Sequence, residues 1–137
     1  MSANDTQVGG DHYRVEDGPQ HWDLMKHYGP GYYIGNATKY LTRWRKKNGV
    51  EDLKKSRHYV VKLDELAKAG QVFPWPVPKF TDMDFITFVK KNELTPEEAK
   101  ACRYLFFWAG MSDLQVVLKI IDKLLTEAEG GAELPTA

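Results

Sequence analysis

The stretch Gly35-Asn36-Ala37-Thr38-Lys39-Tyr40-Leu41-Thr42-Arg43-Trp44-Arg45-Lys46-Lys47-Asn48-Gly49, followed at once by Val50-Glu51-Asp52-Leu53-Lys54-Lys55-Ser56-Arg57-His58-Tyr59, decides the fold. From about Tyr32 to Lys47 the apolar and aromatic residues Tyr33, Ala37, Tyr40, Leu41 and Trp44 recur at helical spacing. Asn48-Gly49 supplies a left-handed stop. A second helix, about Val50 to Ala69, buries Leu53, Val60, Leu63 and Leu66 and ends at Gly70. A turn this short makes the two helices antiparallel neighbours. Between Lys39 and Lys62 lie nine Lys/Arg against two acids, a local charge of +7 in a chain that is neutral at pH 7. Cations concentrated in one hairpin suggest an anion as partner.

Outward from the hairpin, residues 1–20 read as irregular, with Gly9-Gly10 ahead of Asp11-His12-Tyr13. A short helix is expected over His21–Tyr28, stopped at Gly29 by Pro30 and Gly31. Phe73-Pro74-Trp75-Pro76-Val77-Pro78 cannot be helical, because each proline removes a donor and biases its predecessor to extended geometry. Three further helices follow. The first covers about Thr81–Lys91, with Phe85, Ile86 and Val89 inward. The second opens on Thr95 as N-cap, Pro96 and Glu97-Glu98, and closes at Gly110. The third opens on Ser112 as N-cap, with Leu114, Val117, Leu118, Ile121, Leu124 and Leu125 as its stripe, and fades at Gly130-Gly131.

The expectation is an all-α fold: a helical hairpin core with a short N-terminal helix and an appended C-terminal three-helix region. Residues 1–72 form the core, 79–130 serve packing or oligomerisation, and 131–137 form a disordered tail. No apolar run approaches the ~18 residues that span a bilayer, and the polar start lacks a signal-peptide layout. Cys102 is the sole cysteine, which excludes a disulfide framework or a cysteine metal cluster. A cytoplasmic setting is expected (the host cytoplasm if the chain is phage-encoded). Residues 1–70 carry +3 and 71–137 carry −3, which points to anion handling in the first half.

On a helical wheel Asn36, Lys39, Tyr40, Arg43, Lys46 and Lys47 share one face of the first basic helix. Asp52, Lys55, Tyr59 and Lys62 do so on the second, with His58 beside them. Two such faces converge on a groove with Arg43 as a bidentate fork for phosphate. The rings at 40, 44 and 59 offer a stacking surface. The same pattern also fits the solvated face of an amphipathic hairpin with its aromatics in the core. His12, after a Gly-Gly pair, has a pKa suited to proton transfer or phosphate contact. It equally fits an ordinary loop histidine. His21, His27 and His58 have no zinc-ligand spacing, so no metal site is assigned. GxxxxGK[ST], GxGxxG and a nucleophile elbow are all absent from the sequence.

Four ordered motifs resemble a known family: Gly9-Gly10-Asp11-His12-Tyr13, Gln20-His21-Trp22-Asp23-Leu24, Gly35 to Arg43, and Glu51 to Tyr59. Together they cover about residues 9–66. The chain is similar there to the phage nucleotide kinase family, formerly a domain of unknown function. Members resemble a podophage deoxynucleoside monophosphate kinase that lacks the usual kinase motifs. The resemblance implies a phosphotransferase that moves phosphate from a nucleoside triphosphate to a deoxynucleoside monophosphate, working as a homo-oligomer. The partners would be deoxynucleoside mono- and triphosphates, with no membrane and no nucleic acid expected.

On that reading Lys39, Arg43, Lys47 and Lys55 hold phosphates, while Asn36, Tyr13 and Tyr40 contact base or sugar, with His58 beside them. His12 carries a proton or accepts a phosphoryl group, and Asp52 orients a cation. Mg²⁺ is compatible with the sequence but not required by it. All-α nucleoside triphosphate pyrophosphohydrolases invite comparison, yet they need ExxE and ExxD carboxylates for Mg²⁺. Here the corresponding helix offers Asn36, Lys39, Arg43 and Lys47. Such a hydrolase, and a nucleotide- or nucleic-acid-binding protein without chemistry, stand as the alternatives.

Overall fold

A computed structural model describes residues 31–74 and 81–130. The expected helix over 21–28, the loop with His12 and Tyr13, and the tail 131–137 lie outside these residues. Among the described residues the chain is all-α. Five helices run in order: α1 Tyr32–Arg43, α2 Val50–Lys68, α3 Asp82–Lys91, α4 Pro96–Phe106 and α5 Met111–Gly130, with a 3₁₀ turn Trp44–Lys46 after α1. No strand occurs among them.

α1 and α2 form the expected hairpin, and small residues let the two backbones approach. Gly35 and Ala37 are buried on α1, and the Ser56 hydroxyl of α2 donates to the Ala37 carbonyl at 2.8 Å. Ile34, Ala37, Thr38 and Leu41 follow i, i+3, i+4, i+7 and form the buried stripe of α1. The stop falls on Gly49, whose φ of 59° with ψ −131° suits only glycine, and whose N–H donates to the Trp44 carbonyl at 2.8 Å. Gly70, at φ 71°, ends α2, and the Gln71 N–H reaches back to the Leu66 carbonyl at 2.9 Å.

Two of the C-terminal helices begin on reciprocal caps. Thr81 accepts from the Asp84 N–H while Asp84 accepts from the Thr81 N–H, and Thr95 and Glu98 repeat the arrangement. α4 therefore opens as expected, although it ends at Phe106 and not at Gly110. α5 starts at Met111, so Ser112 is not its cap. Instead the Asp113 carboxylate accepts the Ala109 N–H at 2.7 Å. α3 is rotated from expectation: Phe85 and Phe88 face inward, Val89 is half-buried, and Ile86 is 51% exposed. The Phe88 ring meets Phe106 edge-on at 5.6 Å, and this aromatic packing sets the rotation of α3.

α5 runs antiparallel to α2, since Lys54 pairs with Glu129 and Arg57 with Asp122. Leu53, Val60 and Leu63 of α2 share one hydrophobic core with Leu114, Val117, Ile121 and Leu124 of α5. Ile34 and Leu41 of α1, Phe85 and Phe88 of α3, and Ala101 and Leu105 of α4 complete it. Helices from both sides of the Pro-rich segment thus build one core. Among the described residues no helix is long and apolar enough to cross a membrane.

Candidate anion-binding site

Seven of the nine cations of the basic hairpin divide between two duties. One set docks the C-terminal helices. Arg45 forks onto Glu98, with Nε and Nη2 each 2.9 Å from a carboxylate oxygen, and Nη2 also donates to the Glu93 carbonyl at 2.7 Å. Trp44 Nε1 donates to the same Glu98 at 2.7 Å. Lys46 meets Glu93 at 3.4 Å, Lys54 meets Glu129 at 3.5 Å, and Arg57 meets Asp122 at 2.6 Å. The opposite charges of the two halves are therefore in part a matter of their packing together. Glu98 is almost wholly buried, and its cap bond, Arg45 and Trp44 all converge on it. Contact with Glu98 reinforces the Arg45 charge, its pKa being raised chiefly by that hydrogen bond.

The other set surrounds Tyr40. Its half-buried ring stacks on Tyr59 of α2, centroids 6.0 Å apart and planes 13° from parallel. Three cations approach the same ring: Arg43 with Cζ at 4.6 Å from the centroid, Lys55 with Nζ at 5.4 Å and Lys39 with Nζ at 5.5 Å. Tyr32 meets Tyr59 edge-on at 5.8 Å, and His58 lies 6.2 Å from Tyr59. Hydrogen bonding to Tyr32, then burial, pushes the Tyr59 phenol above its ordinary 10.0. Asn36 sits on the same side of α1, where its Nδ2 donates to the Tyr32 carbonyl at 2.9 Å.

Arg43 and Asp52 form a pair. Arg43 Nε donates to Asp52 Oδ2 at 3.1 Å and Nη2 to Oδ1 at 3.3 Å. Asn48 adds its backbone N–H at 3.3 Å and its Nδ2 at 3.4 Å. Asp52 is fully buried and Arg43 is 8% exposed. The fork that sequence analysis assigns to phosphate is thus engaged by a carboxylate of the same chain, and both Asp52 oxygens face donors. A cation at Asp52 would have to displace Arg43. Among the described residues no group of three or more His, Cys, Asp or Glu side chains is arranged to hold a metal.

The structure brings together Asn36, Lys39, Tyr40, Arg43, Asp52 and Lys55, all expected at the site, while His58, also expected there, is exposed and meets its chain neighbour Tyr59. The stripe on α1 stops at Arg43, because the chain then tightens into the 3₁₀ turn and turns Lys46 to Glu93. Lys47 follows that turn and is exposed. Trp44 leaves the stacking set for Glu98. His12 and Tyr13 lie outside the described residues. Sequence reasoning missed Tyr32 and Asn48. Tyr32, Asn36 and Tyr40 stand at i, i+4, i+8, and Asn48 stands four residues before Asp52, so both signals were present in the spacing.

Residues 8–61 match a family described as a protein of unknown function, DUF3310. That match corrects the resemblance drawn from the motifs: the family over this segment is one of unknown function, and nothing in it links the chain to nucleotide kinases. No curated protein and no solved structure matches the chain.

Proposed function

We propose that the chain binds a deoxynucleotide on the Tyr40 face and transfers phosphate to it from a nucleoside triphosphate. The observation that carries this reading is the Tyr40–Tyr59 stack with Lys39, Arg43 and Lys55 gathered around one ring. Half-buried rings offer a base a stacking surface worth about 1–3 kcal/mol. Cations beside them suit a phosphate, and phosphoryl transfer needs mainly positioning and charge neutralisation. In the reaction a 5′-phosphate oxygen of the monophosphate attacks the γ-phosphorus of the donor. The bond from that phosphorus to the β–γ bridging oxygen breaks, leaving two diphosphates. The dianionic acceptor needs no general base.

The test is purified protein with dTMP or dGMP plus a triphosphate, with and without EDTA. Diphosphate product is expected, and Tyr40→Leu should reduce its formation by about tenfold or more, on the scale of one lost stacking partner. Absence of any diphosphate sinks the reading. Release of pyrophosphate or phosphate without an acceptor would favour hydrolysis, a poorer fit because Asp52 is engaged by Arg43. Salt-sensitive retention of single-stranded DNA without turnover would favour a binding role, which the same aromatic and cationic face could serve.

A further inference from the structure

The aromatic surface continues past Tyr40. Tyr32 and Tyr40 stand eight residues apart on α1, about 12 Å along its axis, and Tyr59 of α2 fills the interval. The Tyr59 centroid lies 6.0 Å from that of Tyr40 and 5.8 Å from that of Tyr32, so the three rings form a row along the hairpin. Tyr40 and Tyr59 are half-buried, whereas Tyr32, at the end of the row away from the turn, is 65% exposed. Positive charge follows the same direction. Lys55 lies beside Tyr40, and Lys62, also exposed, stands seven residues further from the turn, about 10 Å along α2. Its contact with Glu65, at 3.9 Å between exposed side chains, is of the kind that contributes little. Proteins that hold single strands combine these two features, successive rings for successive bases and a cationic path for the backbone.

We infer that this face binds two consecutive nucleotides of single-stranded DNA, with Tyr32 as the stacking position for the second base. The inference rests on the nucleotide-binding reading above. The 5′ nucleotide lies at Tyr40, where the cations gather around the ring, and the 3′ nucleotide extends along the row toward Tyr32 and Lys62. The ligand class thus widens from a free monophosphate to a strand that begins with one.

The experiment is calorimetric titration of the full chain at fixed ionic strength. For each of the four bases the ligands are the deoxynucleoside 5′-monophosphate, the 5′-phosphorylated homodinucleotide, and the same dinucleotide with an abasic second sugar, which keeps the charge and lacks the base. For the preferred base the complete dinucleotide should bind at least about fivefold tighter than its abasic counterpart, the lower end of what one stacked base contributes. Tyr32→Leu, at an exposed position, should remove that gain and leave monophosphate binding unchanged. Tyr32→Phe should keep the gain, since the ring face and not the hydroxyl receives the base. A complete dinucleotide bound no tighter than the abasic one, or a gain that survives Tyr32→Leu, overturns the inference and leaves nucleotide binding standing. Equal weakening of monophosphate and dinucleotide in Tyr32→Leu makes Tyr32 a support of the Tyr40 position and overturns the inference as well. Failure of every ligand to bind overturns the nucleotide reading itself, and the inference with it.

Discussion

Arg43 is held in a buried fork on Asp52, Nε–Oδ2 3.1 Å and Nη2–Oδ1 3.3 Å, with its guanidinium carbon 4.6 Å from the centre of the Tyr40 ring. One side chain thus ties the turn, the start of α2 and the aromatic face together. Because both partners are buried, removing one exposes the other to the full desolvation penalty. Arg43→Ala and Asp52→Ala should each destabilise the fold by about 3–5 kcal/mol in urea unfolding. The double variant Arg43→Met with Asp52→Leu should recover much of that loss. A double variant no more stable than the singles would show that the pair itself, and not its desolvation, carries the stability.

Glu98 should prove as consequential, far from the Tyr40 face. Its carboxylate is 1% exposed and accepts from Trp44, Arg45 and the Thr95 N–H. Glu98→Ala strands the Trp44 N–H and the Arg45 guanidinium and removes the Thr95 N–H half of the reciprocal α4 cap in one step. A loss of about 3 kcal/mol is expected, with a shift of Trp44 fluorescence toward an exposed environment. Unchanged unfolding would mean that the hairpin and α4 are not coupled through this carboxylate.

Burial pushes the Cys102 thiol well above its ordinary 9.0, with the nearby Glu98 charge adding to the effect. The raised value means the folded chain holds the proton that the unfolded chain releases. The linked stability is therefore fully present below pH 9 and declines as pH rises beyond it, by at most about 1.4 kcal/mol per pH unit. Unfolding curves at pH 8 and pH 10 should differ by this amount, and Cys102→Ala should remove that part of the difference. In the native protein Cys102 should resist thiol reagents until the chain unfolds.

The turn offers a backbone test. Gly49 adopts φ 59° with nothing within 4 Å of where a Cβ would stand, so any cost of Gly49→Ala comes from the backbone and not from a clash. A loss of about 1–3 kcal/mol in thermal or urea unfolding is expected. A neutral outcome would place the stop on Asn48.

The helical content and most of the stops were legible in the chain because they depend on local chemistry. Thr95-Pro96-Glu97-Glu98, Asn48-Gly49 and Gly70 each fix their own neighbourhood. The stripe of α5 could be read for the same reason, its period running unbroken from Leu114 to Leu125. What could not be read was tertiary choice. Phe88 displaces Ile86 from the core of α3 because Phe106 lies opposite, and no spacing within α3 reveals that. The gathering of Lys39, Tyr40 and Lys55 followed from hairpin geometry. Which cations would be claimed by Glu93, Glu98, Asp122 and Glu129 did not, since those partners lie thirty or more residues away in sequence. Arg43 read as a fork for phosphate because its spacing to Tyr40 was visible, whereas the bidentate contact that Asp52 makes with it across the turn was not.

The most direct test of the account is to map where a deoxynucleoside monophosphate binds. Backbone amide spectra of the isotopically labelled full chain would be recorded through a titration with dTMP and, separately, dGMP. The account predicts that the largest saturable shifts fall at Lys39, Tyr40, Lys55 and Tyr59, and that Tyr40→Leu abolishes them. Saturable shifts confined to α3 and α5, or none with either nucleotide, would contradict it.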